Sequence, residues 1–251
     1  MPLRPPRAEP RLLPAAPLRS ILTIARFPAE LRLAQPASPL LVALQGRLRE
    51  RYPRFGTEEQ TGIAVGPQGL QIGQQAAWRF QELEGSWAVI VAPDFVGLET
   101  ARPVRTDELV ERLRDILVAT RDVIQPPNRE FFGLRYVYQI RPQEENPDWR
   151  RYISRELLGP LAGPVIDADV VTALQDVRVK QPDGIFSLKH GVIRIGTQAA
   201  YLLDYDYFNE TPGPFDPEET ATMARAFSTT TDQMLRWSLD PDYLEALARD
   251  R

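Results

Sequence analysis

The sequence predicts an α+β fold: a mixed, mostly antiparallel, curved sheet, or two such sheets, with helices packed on one face. Three observations predict it. The stretch Glu130 to Arg141, EFFGLRYVYQIR, alternates with a period of two and is rich in β-branched and aromatic residues, as a long strand over a core would be. Other strand-like runs are joined by short turns at Glu84-Gly85 and Pro182-Asp183-Gly184, which makes antiparallel neighbours of them. Helical apolar spacing begins at clear start signals: Ser38-Pro39, Thr106 before Asp107 and Glu108, and Asp216-Pro217-Glu218-Glu219.

In chain order, residues 1–19 form a Pro- and Arg-rich stretch, expected to be a flexible arm. Ser20 to Leu33 is expected to hold a strand interrupted by Pro28, or two short strands. A helix follows from Ser38, with Leu40, Leu41, Leu44 and Leu48 as its buried stripe, and Pro53 ends it. Strands are expected over Thr61 to Val65, Ala76 to Leu83, Ser86 to Ala92 and Asp94 to Thr100. Thr106 opens a second helix, with Leu109, Leu113, Ile116 and Leu117 inward, stopped by Pro126-Pro127. The Glu130 strand closes an N-terminal half, residues 20–142. The other half, residues 143–251, is expected to hold a helix from Asp148 to about Leu158, then strands over Val170 to Lys180, Ile185 to Ile195 and Ala199 to Asn209. A long helix from Asp216 ends the chain, with a short one after Asp240-Pro241. The run Ser228-Thr229-Thr230-Thr231 is a poor helix former and predicts a bend. The halves form one continuous domain or two related subdomains.

Composition excludes several chemistries. The 251 residues include no cysteine and one histidine, so disulfides, thiolate metal sites, a Cys nucleophile and multi-His zinc sites are out of reach. A net charge of −4 argues against non-specific nucleic-acid binding, although a local basic patch is compatible with it. No run approaches the 18 to 20 apolar residues of a membrane span, and MPLRPPRAEPRLLPAAPLR lacks the apolar stretch of a signal peptide. A cytoplasmic protein without membrane association is expected, and no cofactor is implied.

Two groups of residues invite a functional reading. Asp204 and Asp206 alternate with Leu203, Tyr205 and Tyr207, so on a strand they share a face, about 7 Å apart. Such a pair holds a divalent metal if a third acid converges, with Glu130, Glu144 and Glu145 as candidates; otherwise it is a solvated face. Arg135, Gln139 and Arg141 share the less apolar face of the Glu130 strand. They are suited to an acidic partner, a phosphate or RNA. They are equally suited to pairing with Asp204 and Asp206 across neighbouring strands, the expected outcome. His190, in SLKHG, is expected at a surface turn. Gly66-Pro67-Gln68-Gly69 lacks the Lys-Ser/Thr of a phosphate loop. Trp78 and Trp87 face each other's strands as packing.

The order APLRSILTIARF, WRF at Trp78 to Phe80, FGLRYVYQI at Phe132 to Ile140, YLLDYDYF at Tyr201 to Phe208 and AFSTTTD at Ala226 to Asp232 resembles a family of sporadically distributed bacterial proteins of unknown function. The resemblance runs from about residue 17 onwards and is most specific at GLRY with the earlier WRF. That family often carries an asparagine and a basic residue where this chain has Tyr138 and Gln139, and a histidine in the long C-terminal helix, absent here. The sporadic distribution implies a setting in bacterial defence or a toxin–antitoxin-type system. With one histidine, no cysteine and no complete catalytic motif, the leading expectation is a non-enzymatic binding or scaffold protein with a protein partner. A metal-dependent hydrolase or nuclease using Asp204 and Asp206 is the alternative, and nucleic-acid binding through the Arg-bearing sheet face a third.

Overall fold

The structure, a computed structural model, describes residues 3, 4, 6, 12–35, 38–66, 69–163 and 170–249. The strands are β1 (Leu18–Arg26), β2 (Arg54–Gly66), β3 (Gly69–Gln81), β4 (Trp87–Ala92), β5 (Phe95–Thr100), β6 (Phe131–Ile140), β7 (Ala173–Gln181), β8 (Gly184–Ile195) and β9 (Gln198–Asn209). The helices are α1 (Pro39–Leu48), α2 (Thr106–Ile124), α3 (Arg155–Leu158), α4 (Pro217–Ser238) and α5 (Pro241–Leu247). One nine-stranded sheet runs β2-β3-β4-β5-β1-β6-β9-β8-β7, and every pairing is antiparallel. The α+β class with helices on one face is what this chain adopts.

Alternation sorts the two faces. In β6, Phe132, Leu134, Tyr136, Tyr138 and Ile140 are buried under the helices. Their neighbours in register continue the same inner face: Thr23 and Ala25 of β1, Tyr205 and Tyr207 of β9, Phe186 and Leu188 of β8. Helix α4 lies against β6 and β9 and packs along α2, which in turn packs on α1. Phe227 of α4 stacks on Tyr207 at 3.9 Å and on Phe132 at 5.9 Å, joining helix to sheet. At the far side, Trp87 is buried beneath the Arg112 guanidinium at 4.4 Å, and Arg112 is itself paired with Glu82. Both tryptophans are packing residues, and the Trp78 indole N–H donates to the Leu33 carbonyl at 2.9 Å.

Two of the three start signals cap their helices; α2 instead begins at Thr106 behind Arg105 without a side-chain cap, and the Thr106 hydroxyl is engaged with Ser228. Ser38 accepts from the Leu41 N–H, and Asp216 accepts from the N–H groups of Glu218 and Glu219, each cap contributing about 1 kcal/mol. Several elements differ from expectation. The helix expected from Asp148 is a turn of 3-10 helix at Trp149–Arg151 followed by α3. Between them the backbone is claimed by the end of α4, where Ile153 bridges Leu239 and the Ser154 N–H donates to the Ser238 carbonyl. Helix α4 runs continuously through Ser228 to Thr231 despite the poor helix propensity of that run. Thr229 bonds the Arg225 carbonyl, Ser228 bonds outward to Tyr136 and Thr106, and Ser228 and Thr231 are buried. After Pro28 the chain forms a 3-10 turn at Leu31–Ala34 in place of a second strand. Of the flexible arm expected over residues 1–19, residues 3, 4, 6 and 12–19 are described, and much of that stretch is held in place: the Leu3 N–H donates to Gln181 Oε1 at 3.0 Å, Leu13 is buried, the Ala15 N–H donates to the Leu247 carbonyl, and β1 already begins at Leu18.

Candidate functional site

The second face of the sheet carries none of the described helices. Register defines a row across it: Ala88, Glu99, Leu22, Arg135, Asp206, Ser187 and Arg178, from β4 to β7. The adjacent row passes through Val137, Asp204, Lys189 and Asp176. The structure therefore brings Arg135, Asp204 and Asp206 into one cluster, as the alternation of β6 and β9 requires.

Within that cluster the pairing is selective. Asp206 stands directly opposite Arg135, yet Arg135 reaches the diagonal residue Asp204. Its Nε and Nη2 donate to the two carboxylate oxygens at 2.8 and 2.6 Å. The Asp204 side chain is 11% exposed and that of Arg135 50%. This bidentate, charge-assisted geometry is the strongest that a guanidinium and a carboxylate form. Asp206 is left without an ion pair among the described residues. Burial pushes its carboxyl up to about 6; the nearby guanidiniums of Arg135 and Arg178 pull it down, and Asp204 pushes it further up. Arg141 does not join them: its guanidinium donates to Gln139 Oε1 at 2.6 Å. Thus Arg135 is satisfied by an aspartate as expected, whereas Arg141 is satisfied by Gln139.

Among the described residues no group of three or more His, Cys, Asp or Glu side chains is placed to hold a metal ion. Of the proposed third acids, Glu144 instead faces Arg151 at 3.6 Å and Tyr152 at 3.4 Å. Other cations of this face are also engaged: Arg79 with Glu99 at 2.8 Å, Arg26 with Asp94 at 2.7 Å and Arg178 with Asp176 at 3.6 Å. Apolar groups lie among these charges. Leu22 and Ile24 are half-buried beside Ile90, Ala92 and Phe95, and Phe131 stacks on Phe208 at 5.8 Å.

His190 is not at a surface turn. It lies within β8 on the inner face, opposite Leu203, and is 2% exposed. Its Nδ1 is 3.0 Å from the Tyr201 hydroxyl, and burial lowers its pKa, which favours the neutral ring. SLKHG belongs to a strand because Leu188 and His190 both face inward, a period-two signal masked by the following Gly191.

The inner face holds a feature that sequence reasoning missed. A cavity of about 290 Å³ lies between β1, β6, α4 and the start of α2, lined by Leu13, Tyr136, Tyr138, Thr106, Ser228 and Asp232 among others. The Tyr136 hydroxyl and Ser228 Oγ are 2.9 Å apart, and Ser228 Oγ is 2.9 Å from Thr106 Oγ1. Burial holds both tyrosines well above their ordinary range, so they are neutral hydrogen-bonding groups and not bases. Tyr136 and Tyr138 read as plain core in the strand pattern; only α4's hydroxyl run hinted that something polar faced them.

The chain matches no family model and no curated protein sequence. Among the described residues, no helix is long and apolar enough to cross a membrane.

Proposed function

We propose that this chain is a non-enzymatic binding protein that presents the helix-free face of its sheet to a protein partner. One observation carries the proposal: Arg135 closes on both oxygens of Asp204, which turns one of the two carboxylates a metal mechanism would use into a cross-strand link. A carboxylate committed to a guanidinium in this way is a poor ligand for a divalent cation. The surrounding face combines half-buried apolar groups, an aromatic stack and charged residues of both signs, a composition suited to protein recognition. The same pairing weighs against nucleic acid as the ligand, because guanidiniums already closed on carboxylates release few counterions. A setting in bacterial defence or a toxin–antitoxin-type system, implied by the family resemblance, belongs to this proposal.

The test is affinity capture from the native cell with the wild-type chain, a face variant, Val137→Glu, and a control on the helical side, Arg47→Glu. A partner retained by wild type and control but lost by Val137→Glu supports the proposal. Capture that is indifferent to Val137→Glu places the partner elsewhere. Thermal unfolding with and without Mg²⁺ or Mn²⁺ addresses the enzymatic alternative. No shift is expected, whereas a rise with millimolar metal that Asp204→Asn abolishes would restore the metal-dependent reading.

A further inference from the structure

Among the described residues, strand β7 is one edge of the sheet, with β8 as its one strand neighbour. It runs nine residues, ALQDVRVKQ, and its register with β8 is unbroken from Ala173 to Gln181. Neither a bulge nor a proline turns this edge away; of the devices that blunt a sheet edge it carries charged side chains, Asp176, Arg178 and Lys180, of both signs. Leu174 is 45% exposed and Val177 47%. Gln175, Asp176, Arg178 and Lys180 are exposed as well. A strand of unbroken register and exposed side chains is a template for another strand.

We propose that β7 pairs antiparallel with β7 of a second copy of this chain about a two-fold axis at Val177, joining the two sheets into one. The order of charges along the strand selects the occupant. In an antiparallel self-pair centred on Val177, position 176 of one copy stands opposite position 178 of the other. Asp176 then faces Arg178, and the two-fold axis makes the same contact a second time. On the opposite face, Val177 meets Val177 of the second copy, and Gln175 meets Val179. Leu174 comes opposite Lys180, whose methylene stem covers it. The register is specific. A centre at Asp176 sets carboxylate against carboxylate, and a centre at Arg178 sets guanidinium against guanidinium, arrangements that destabilise directly opposed cross-strand pairs. Asp176 and Arg178 already project on one face, with Arg178 Nε 3.6 Å from Asp176 Oδ1 within the strand. The self-pair exchanges that loose contact, two residues apart on one strand, for two directly opposed pairs. The dimer does not depend on the partner-binding proposal. If both hold, each dimer displays two binding faces on one sheet, and a bivalent partner gains avidity.

The test is sedimentation velocity on the full chain from micromolar to several hundred micromolar, with circular dichroism to verify folding of each variant. The wild type is expected to dimerise. Arg178→Asp opposes two carboxylate pairs and is expected to weaken the dimer by about tenfold or more. The charge-swapped double variant Asp176→Arg/Arg178→Asp recreates both pairs in reverse and is expected to return the dimer to near wild-type strength. Val177→Lys, at an exposed position, is expected to leave a folded monomer. A wild type that stays monomeric across the range overturns the proposal. So does a dimer indifferent to Arg178→Asp and Val177→Lys, or a double variant that fails to recover.

Discussion

Arg135 grips Asp204 on the diagonal and leaves Asp206, its directly opposed neighbour, without an ion pair among the described residues. The Nε and Nη2 edge of the guanidinium is taken up by Asp204. The two aspartates therefore behave differently although the sequence presents them as equivalents: one fastens β6 to β9, and the other is a partly buried acid.

The pH dependence of stability follows from Asp206. Its carboxyl titrates near 6 in the fold against a reference of 3.8. The folded state thus binds more protons than the unfolded chain between those values, and this group's contribution to stability falls as pH rises through that window. Below about pH 4 both states are protonated and the penalty vanishes. Asp206→Asn is expected to stabilise the protein by about 1–2 kcal/mol at pH 7 and to make little difference near pH 3.5. Denaturant melts of both proteins at the two pH values check this, and equal effects at both would contradict it.

Removing Arg135 strands the Asp204 carboxylate in a nearly buried position. Arg135→Ala is expected to cost about 1–2 kcal/mol, the exposed half of the arginine softening the loss. Asp204→Ala should cost a similar amount. The double variant should cost less than the sum, with a coupling of about 1 kcal/mol in urea melts. Strict additivity would mean that the pair contributes nothing.

Phe227 lies between Phe132 and Tyr207, fully buried. Truncation to alanine empties the contact through which α4 meets the sheet. A loss of about 3–5 kcal/mol is expected by chemical denaturation. Ser228→Ala, one residue on, removes the hydrogen bonds to Tyr136 and Thr106 and should cost about 1 kcal/mol.

Gly191 sits within β8 at φ +136°, and a Cβ there would stand 1.8 Å from the Ala173 carbonyl oxygen of β7. Gly191→Ala must therefore separate the edge strand from its neighbour. A loss of about 3 kcal/mol or more is expected, with faster amide exchange concentrated in β7 and β8. Protection unchanged in β7 would refute the local character of the effect.

What could be read from the residues depended on how much of the physics was local. The inner face of β6 was legible because Phe132, Leu134, Tyr136, Tyr138 and Ile140 alternate without interruption. The caps at Ser38 and Asp216 were legible because a side chain and its acceptor lie within one turn. The full extent of β2 and β3 was hidden by Gly62, Gly66, Gly69 and Gly73, which carry no alternation; the backbone nonetheless pairs from Arg54↔Gln81 to Gly66↔Gly69. That Arg135 and the aspartates share a face was derivable from period two. Which aspartate the arginine takes was not, since it depends on the stagger between β6 and β9. The cavity beside Tyr136 was invisible for the same reason: it is bounded by β1, β6 and two helices far apart in sequence.

Strand order carries a consequence for how the chain reaches this state. β1, which precedes the other described strands in the chain, lies between β5 and β6 and is hydrogen-bonded to both. During synthesis its β5 partner follows some 70 residues later, and its second edge stays open until residues 131–140 emerge. The meander from β2 to β5 can form from neighbours alone, whereas the middle of the sheet waits for long-range closure, the slow class of contact. Until then β1 is an apolar strand with an open side. A nascent chain halted between β5 and β6 is accordingly the form of this protein most exposed to misassembly and most in need of a chaperone.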